Sequence, residues 1–184
     1  LFVRGEYAAA ADRFESLVRD FPESPYGQRA VWRRAACAWK RKEYATAVDL
    51  AERARGMKPS TVPEEDIVSF QLTVLTAMGE EAPERAADRL NRFARGALSW
   101  QQRYDFRMAE GHAWYAAEAY NLAADAFGDA TSIAPDTGDL RMEALYWGAR
   151  SDLAESRETH HDAERLARAL GRFQAAARLS APDA

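Results

Sequence analysis

The stretch "ETHHDAE" brings Glu158, His160, His161, Asp162 and Glu164 together, and these are the side-chain types that hold divalent metals. A metal centre needs its ligands to converge. Adjacent histidines on a helix point in different directions, and no third ligand follows at helical spacing. The stretch reads as a solvated connection with Asp162 capping the next helix, and a metal-dependent hydrolase at this loop is the enzyme alternative. "PEED" at Pro63–Asp66 offers paired carboxylates, but acidic residues in a first helical turn are what the helix dipole favours. Cys37 is the only cysteine, so no internal disulfide can form. It sits among alanines in "RRAACAWK" with no histidine close in sequence to activate it, and reads as a small buried filler. No nucleophile elbow, phosphate-binding glycine loop or zinc signature is present. The expectation is a non-enzyme with no cofactor and no metal.

The elements that carry these residues follow from composition and periodicity. The 184 residues are 47% apolar and 29% charged, which fits a packed domain or a short repeat array. A net charge of −4 argues against a general nucleic-acid binder. No apolar run approaches the roughly 18 residues of a membrane span. "LFVRGEY" lacks the basic-then-apolar pattern of a signal peptide.

A repeat is written in the punctuation. Tyr7, Ala10, Phe14 and Pro22 recur as Tyr44, Ala47, Ala51 and Pro59, and again as Tyr120, Ala123, Phe127 and Pro135, with the same internal spacing. The first interval is 37 residues and the second 76, or two periods of 38. The copy expected between them is degenerate, "EEAPERAADRLNRFA", with Ala86, Leu90 and Phe93 at helical spacing. Alanine lets two antiparallel helices approach, a larger apolar residue one turn on fills the seam, and proline ends the unit. Partner helices precede each set, with Val31, Ala35 and Ala38, then Gly111 and Trp114, then Ala144, Gly148 and Ser151 on their apolar faces. Gly111 and Gly148 fall where a hairpin needs a small contact residue, and Gly5, Gly79 and Gly138 fall at turns. The periodicity predicts helices over 6–20, 27–40, 43–56, 64–78, 83–96, 100–117, 119–133, 139–157 and 162–179. The fold class is all-α, a solenoid of helix hairpins.

These residues resemble the tetratricopeptide repeat (TPR) family, which couples a small residue and an aromatic in its first helix with alanine, an aromatic and a closing proline in its second. "GHAWYAAEAYNLAADAFGDATSIAP" matches that pattern nearly throughout, and the resemblance covers almost the whole chain. It implies a right-handed superhelical array. Its units would be the second half of a truncated repeat at about 1–22, a repeat at 25–59, a degenerate one at 64–98, a repeat at 100–135 and an elongated degenerate one at 138–182. "LFVR" then reads as the stub of a helix cut away, and the chain as a piece of a longer array. "FPESPYGQRAVWRRAACAWKRKEYATAV" is similar to tetratricopeptide units of bacterial cell-envelope proteins, such as outer-membrane assembly lipoproteins and Tol-Pal coordinators. That likeness favours the periplasm or cell envelope over the cytoplasm.

In the family the first helices line a concave surface that binds peptides. Carried onto this chain, the groove displays Arg29, Trp32, Arg33, Ala36, Trp39 and Lys40, then the small, polar Ser69, Thr73 and Thr76. Met108, His112 and Tyr115 follow, then Leu145 and Asp152. Aromatic anchors flanked by arginines are the composition of binding hot spots, and they suit a partner with acidic and apolar side chains. Trp32 and Trp39 fit packing against the neighbouring hairpin equally well. His112 reads as a groove or seam residue. The paired lysine and asparagine of carboxylate-clamp members are missing, since the only asparagines, Asn91 and Asn121, lie elsewhere. The expected function is a non-catalytic protein-interaction scaffold. The alternatives are the helical superstructure of a larger cell-envelope enzyme, such as a lytic transglycosylase, and a self-association module in which homo-oligomers form.

Overall fold

A computed structural model describes residues 1–97, 99–136, 138–159 and 162–180. Among the described residues there is no strand. The same residues form nine α-helices: α1 (Tyr7–Asp20), α2 (Gly27–Lys40), α3 (Tyr44–Gly56), α4 (Glu64–Glu81), α5 (Pro83–Arg95), α6 (Trp100–Ala116), α7 (Tyr120–Ile133), α8 (Asp139–Glu158) and α9 (Ala163–Ser180). Each starts and stops within three residues of the helix its periodicity predicts. The all-α class is therefore observed, as consecutive helices packed into hairpins. The chain divides into two compact units, Leu1–Met78 and Gly79–Ala184, with the division inside the last turn of α4.

One backbone device recurs at the turns. Lys42 and Glu118 are the non-glycine residues with positive φ among those described, at +62° and +61°, and Gly5 has φ +78°. Each stands two residues before a repeat tyrosine: Tyr7, Tyr44 or Tyr120. The hydrogen bonds of the two later turns match. Glu43 N donates to Ala38 O and Lys42 N to Trp39 O, both at 2.9 Å, while Ala119 N donates to Trp114 O at 3.0 Å and Glu118 N to Tyr115 O at 3.1 Å. This is a left-handed C-terminal cap that satisfies the last helical carbonyls. A left-handed L-residue costs roughly 1–2 kcal/mol that glycine escapes. Glu118→Gly is therefore expected to stabilise the 79–184 unit by about 0.5–1 kcal/mol, after the added entropy of an unfolded glycine is set against that gain. Thermal and urea melts would read it, and a destabilised variant would show that Glu118 makes up its strain through contacts of its side chain.

Among the described residues each unit carries a buried core. In the first, Val31 and Ala35 of α2, Ala51 and Ala54 of α3 and Ile67 of α4 are buried together, with Trp32 and Phe70 packed against them. In the second, Tyr104 and Met108 of α6 meet Ala123, Phe127 and Ala130 of α7 and Ala144 of α8. The hydroxyl of Tyr104 donates to Leu140 O at 2.7 Å, tying α6 to the start of α8. The small residues have specific partners. A Cβ at Gly111 would lie 2.6–2.7 Å from three ring atoms of Phe127, so the glycine is what lets that ring enter the hairpin. Gly138 stands at a turn with φ +108°. Gly79 does not: α4 runs on to Glu81, and a Cβ there would stand 3.8 Å from the Ala113 methyl and 3.9 Å from that of Ala86. It is a helix-contact glycine, and its low helix propensity is outweighed by packing.

Candidate functional surfaces

In the 1–78 unit, the predicted residues of α2 do come together. Arg29, Arg33 and Lys40 are exposed, while Trp32, Ala36 and Trp39 are half-buried. Both indoles pack edge-on against Phe70 of α4, with ring centroids at 4.8 Å for Trp32 and 5.7 Å for Trp39. Each tryptophan thus has one side in the packing and an edge toward solvent, which joins the two alternatives the spacing leaves open. The Lys40 ammonium lies 4.7 Å from the Trp39 ring, and the Arg33 guanidinium 5.9 Å from the Phe2 ring. These are cation–π distances. Among the described residues Arg29, Arg33 and Lys40 make no ion pair, whereas Arg34 of the same helix pairs with Glu15 at 3.1 Å. Ser69, Thr73 and Thr76 are exposed on α4. The hydroxyls of Thr73 and Thr76 donate at 2.9 Å to the carbonyls of Ser69 and Leu72, which leaves their lone pairs free to accept.

In the 79–184 unit the expectation is corrected at two residues. Met108 is 7% exposed and belongs to the α6–α7–α8 core, because α6 turns the face carrying Tyr104 and Met108 inward. Asp152 is 2% exposed and faces the arginines of α9. Its Oδ2 lies 3.2 Å from Arg172 Nη1 and its Oδ1 3.7 Å from Arg168 Nε, while Arg172 also donates to Ala124 O at 3.3 Å. Burial holds the Asp152 carboxyl above its ordinary range, although Arg172, Arg168 and Arg165 pull the other way. A Cβ at Gly148 would meet Arg172 Nη1 at 2.5 Å, so this glycine clears a path for the arginine. The result is a polar cavity of about 240 Å³ among Asn121, Asp125, Asp152, Arg165, Arg168 and Arg172. Arg165 and Arg168 are further paired with Glu155, Asp162 and Glu164, so the cluster reads as an ion-pair staple of α7, α8 and α9.

His112 and Tyr115 are half-buried in an aromatic cluster. His112 stands edge-on to Phe127 at 5.1 Å and to Trp147 at 4.6 Å, and burial lowers its pKa, which keeps it neutral at physiological pH. Tyr115 contacts Tyr120 and Trp147. Over this cluster lies Arg150, 4.7 Å from Trp147, 5.6 Å from Tyr115 and 5.8 Å from Tyr146. The sequence reading missed Tyr146, Trp147 and Arg150. The i, i+3 and i+4 spacing of two aromatics and a cation in "YWGAR" is the signal that points to them.

The metal-like stretch gives up less. Asp162 caps α9, its Oδ1 accepting from Glu164 N at 2.9 Å and Arg165 N at 3.3 Å. His160 and His161 lie outside the described residues. Among the described residues no group of three or more His, Cys, Asp or Glu side chains is gathered as metal ligands would be. Glu64, Glu65 and Asp66 occupy the first turn of α4, with Glu64 Oε1 2.7 Å from Arg55 Nε. Cys37 is fully buried, and burial raises its thiol pKa. No helix among the described residues is long and apolar enough to cross a membrane.

No protein-family model and no curated protein matches this chain. Among solved structures it is similar to a MamA RS-1 ArsTM double mutant, at 12% identity and TM-score 0.49, over 94% of this chain and 88% of that one. It is also similar to the C-terminal part of a TPR repeat-containing protein from Cytophaga hutchinsonii, at 18% identity and TM-score 0.36, over 97% of this chain and 76% of that one.

Proposed function

We propose that this protein is a non-catalytic interaction scaffold of tetratricopeptide type, and that α2 presents the surface on which an acidic, apolar segment of a protein partner docks. The observation that carries the reading is the set of three exposed cations, Arg29, Arg33 and Lys40, framing two half-buried indoles and lacking any carboxylate partner among the described residues. In a chain of net charge −4, unpaired cations gathered beside aromatic anchors offer both the steering charge and the desolvated hot spot that recognition uses. Exposed Ser69, Thr73 and Thr76 on α4 add hydroxyl acceptors without bulk. The likeness of residues 21–48 to cell-envelope repeat units supports an envelope setting.

The test is the charge-reversed variant R29E/R33E/K40E. These side chains are exposed and make no ion pair among the described residues, so helicity and melting should stay near wild type. Binding of acidic, apolar peptides should fall at least tenfold, equivalent to about 1.4 kcal/mol. Truncating Trp32 or Trp39 is the poorer probe, because each also packs on Phe70. Unchanged peptide binding by the charge-reversed variant would remove the assignment.

A further inference from the structure

Half-buried arginines in the 79–184 unit meet carboxylates. Arg107 lies 2.7 Å from Glu110, Arg141 3.1 Å from Asp136, Arg172 3.2 Å from Asp152 and Arg165 3.4 Å from Asp162. Arg150 of α8 is half-buried too, yet it makes neither an ion pair nor a hydrogen bond among the described residues. Its surroundings are aromatic. The guanidinium carbon stands 4.7 Å from the ring centroid of Trp147, 5.6 Å from that of Tyr115 and 5.8 Å from that of Tyr146.

The rings answer the charge but not the donors. A guanidinium carries five N–H groups in one plane, and an aromatic ring offers them no lone pair. The rings also hold the side chain in place. Trp147 meets His112, Tyr115 and Tyr146 edge-on, with centroids 4.6, 5.7 and 5.9 Å away, and packs against the α6–α7–α8 core. A cation among three such rings has little rotamer freedom left to lose when a ligand arrives, and that preorganisation favours binding. The rings also remove part of its water, which strengthens a charge-assisted hydrogen bond made there.

The acceptor that suits Arg150 follows from its neighbours. Among the described residues no second cation lies over these rings. A doubly charged phosphoryl group draws several cations, whereas a single planar fork matches the two oxygens of a carboxylate. Tyr146 keeps 44% of its surface exposed near the guanidinium, which leaves room for an apolar or aromatic group attached to that carboxylate.

We propose that Arg150, held by Trp147, Tyr115 and Tyr146, is a binding site for a carboxylate with an aromatic or aliphatic neighbour, as presented by an acidic peptide residue next to Phe or Leu. The site belongs to the 79–184 unit and does not rest on the reading of the α2 surface.

Titration of the full chain, followed at the Nε–Hε NMR signal of Arg150, tests it. The signal is assigned by its disappearance in Arg150→Gln. Acetyl-Asp-Phe-amide should shift it saturably, and acetyl-Asn-Phe-amide, which has the same shape without the charge, should bind at least tenfold more weakly. Acetyl-phenylalanine carries its carboxylate at the chain end, so comparing it with acetyl-Asp-Phe-amide separates a terminal carboxylate from a side-chain one. Saturable binding of either supports the proposal. Read at the indole N–H signals, Arg150→Gln should weaken the acidic ligand at least tenfold, and Arg150→Lys, which keeps the charge without the fork, several fold. R29E/R33E/K40E should leave the Arg150 shift unchanged, and its loss there would place the binding on α2 and overturn the proposal. Absence of a saturable shift with both carboxylates overturns it, as does equal binding of the Asn ligand or tighter binding of phenyl phosphate than of either carboxylate.

Discussion

Phe127→Ala is expected to destabilise the 79–184 unit by about 3–5 kcal/mol, and Gly111→Ala by about 1–3 kcal/mol. In the double variant most of the second cost should disappear. The ring of Phe127 is fully buried and is the largest fully buried side chain among the described residues, with Tyr104, Met108, Ala123 and Ala130 in its cluster. Removing it leaves a cavity that this close-packed hairpin cannot readily collapse into. At Gly111 two effects oppose each other. Alanine gains about 1 kcal/mol of helix propensity, but its methyl would overlap three ring atoms at 2.6–2.7 Å. The ring is boxed in by His112 and Trp147, at centroid distances of 5.1 and 6.1 Å, so it cannot swing clear and overpacking wins. Once Phe127 is alanine, the new methyl has room and only the propensity gain remains. Urea unfolding of the four proteins in a double-mutant cycle would show a coupling of about 2 kcal/mol or more. Additive effects would mean that the glycine and the ring do not share the space assigned to them.

The second large effect concerns two buried glutamines that should respond in opposite directions. Gln28 is 3% exposed and nearly saturated: its Nε2 donates to Ala54 O at 3.0 Å. Its Oε1 accepts from Val62 N at 2.8 Å, from the Thr61 hydroxyl at 3.0 Å and from Thr61 N. One side chain thus pins the end of α3 and the connection into α4 onto α2. Gln28→Leu strands the Val62 amide and the Ala54 carbonyl, and each stranded group costs about 1–3 kcal/mol, for a loss of roughly 2–5 kcal/mol. Gln71 on α4 is fully buried, and neither its Nε2 nor its Oε1 has a hydrogen-bond partner among the described residues. Gln71→Leu should therefore stabilise the 1–78 unit by about 1–3 kcal/mol, since the amide is desolvated without return. Melting curves of the two variants should shift to opposite sides of wild type. A shift of both in the same direction would contradict the assignment of one amide as satisfied and the other as orphaned.

Much of the fold is legible because hairpin seams are local. Tyr44, Ala47 and Ala51 sit on one turn-to-turn face, and the same spacing at Tyr120 marks the same kind of helix. Gly111 was readable as a contact residue for that reason. Periodicity, however, says which residues share a face and not what the face meets. Met108 and His112 are four apart on α6, yet Met108 is sealed in the core while His112 keeps a solvent edge, a difference of tilt that spacing does not carry. Asp152 is buried because Arg172, twenty residues further on, reaches past Gly148 to meet it. Gly79 resembles a helix stop in composition, and only its approach to Ala86 and Ala113 explains why α4 continues through it. On α2 the exposed cations were readable from sequence. Their lack of carboxylate partners among the described residues, on which the functional reading turns, depends on where every acidic side chain comes to rest.

Recognition of an acidic, apolar protein segment by the cations and indoles of α2 can be read without knowing the partner. Peptide-display selection on the immobilised protein, with R29E/R33E/K40E selected in parallel, measures this most directly. Wild-type protein should enrich peptides combining Asp or Glu with aromatic or aliphatic residues, and the variant should lose them. Recovery of the same peptides by both proteins, or enrichment of basic peptides by the wild type, would contradict it.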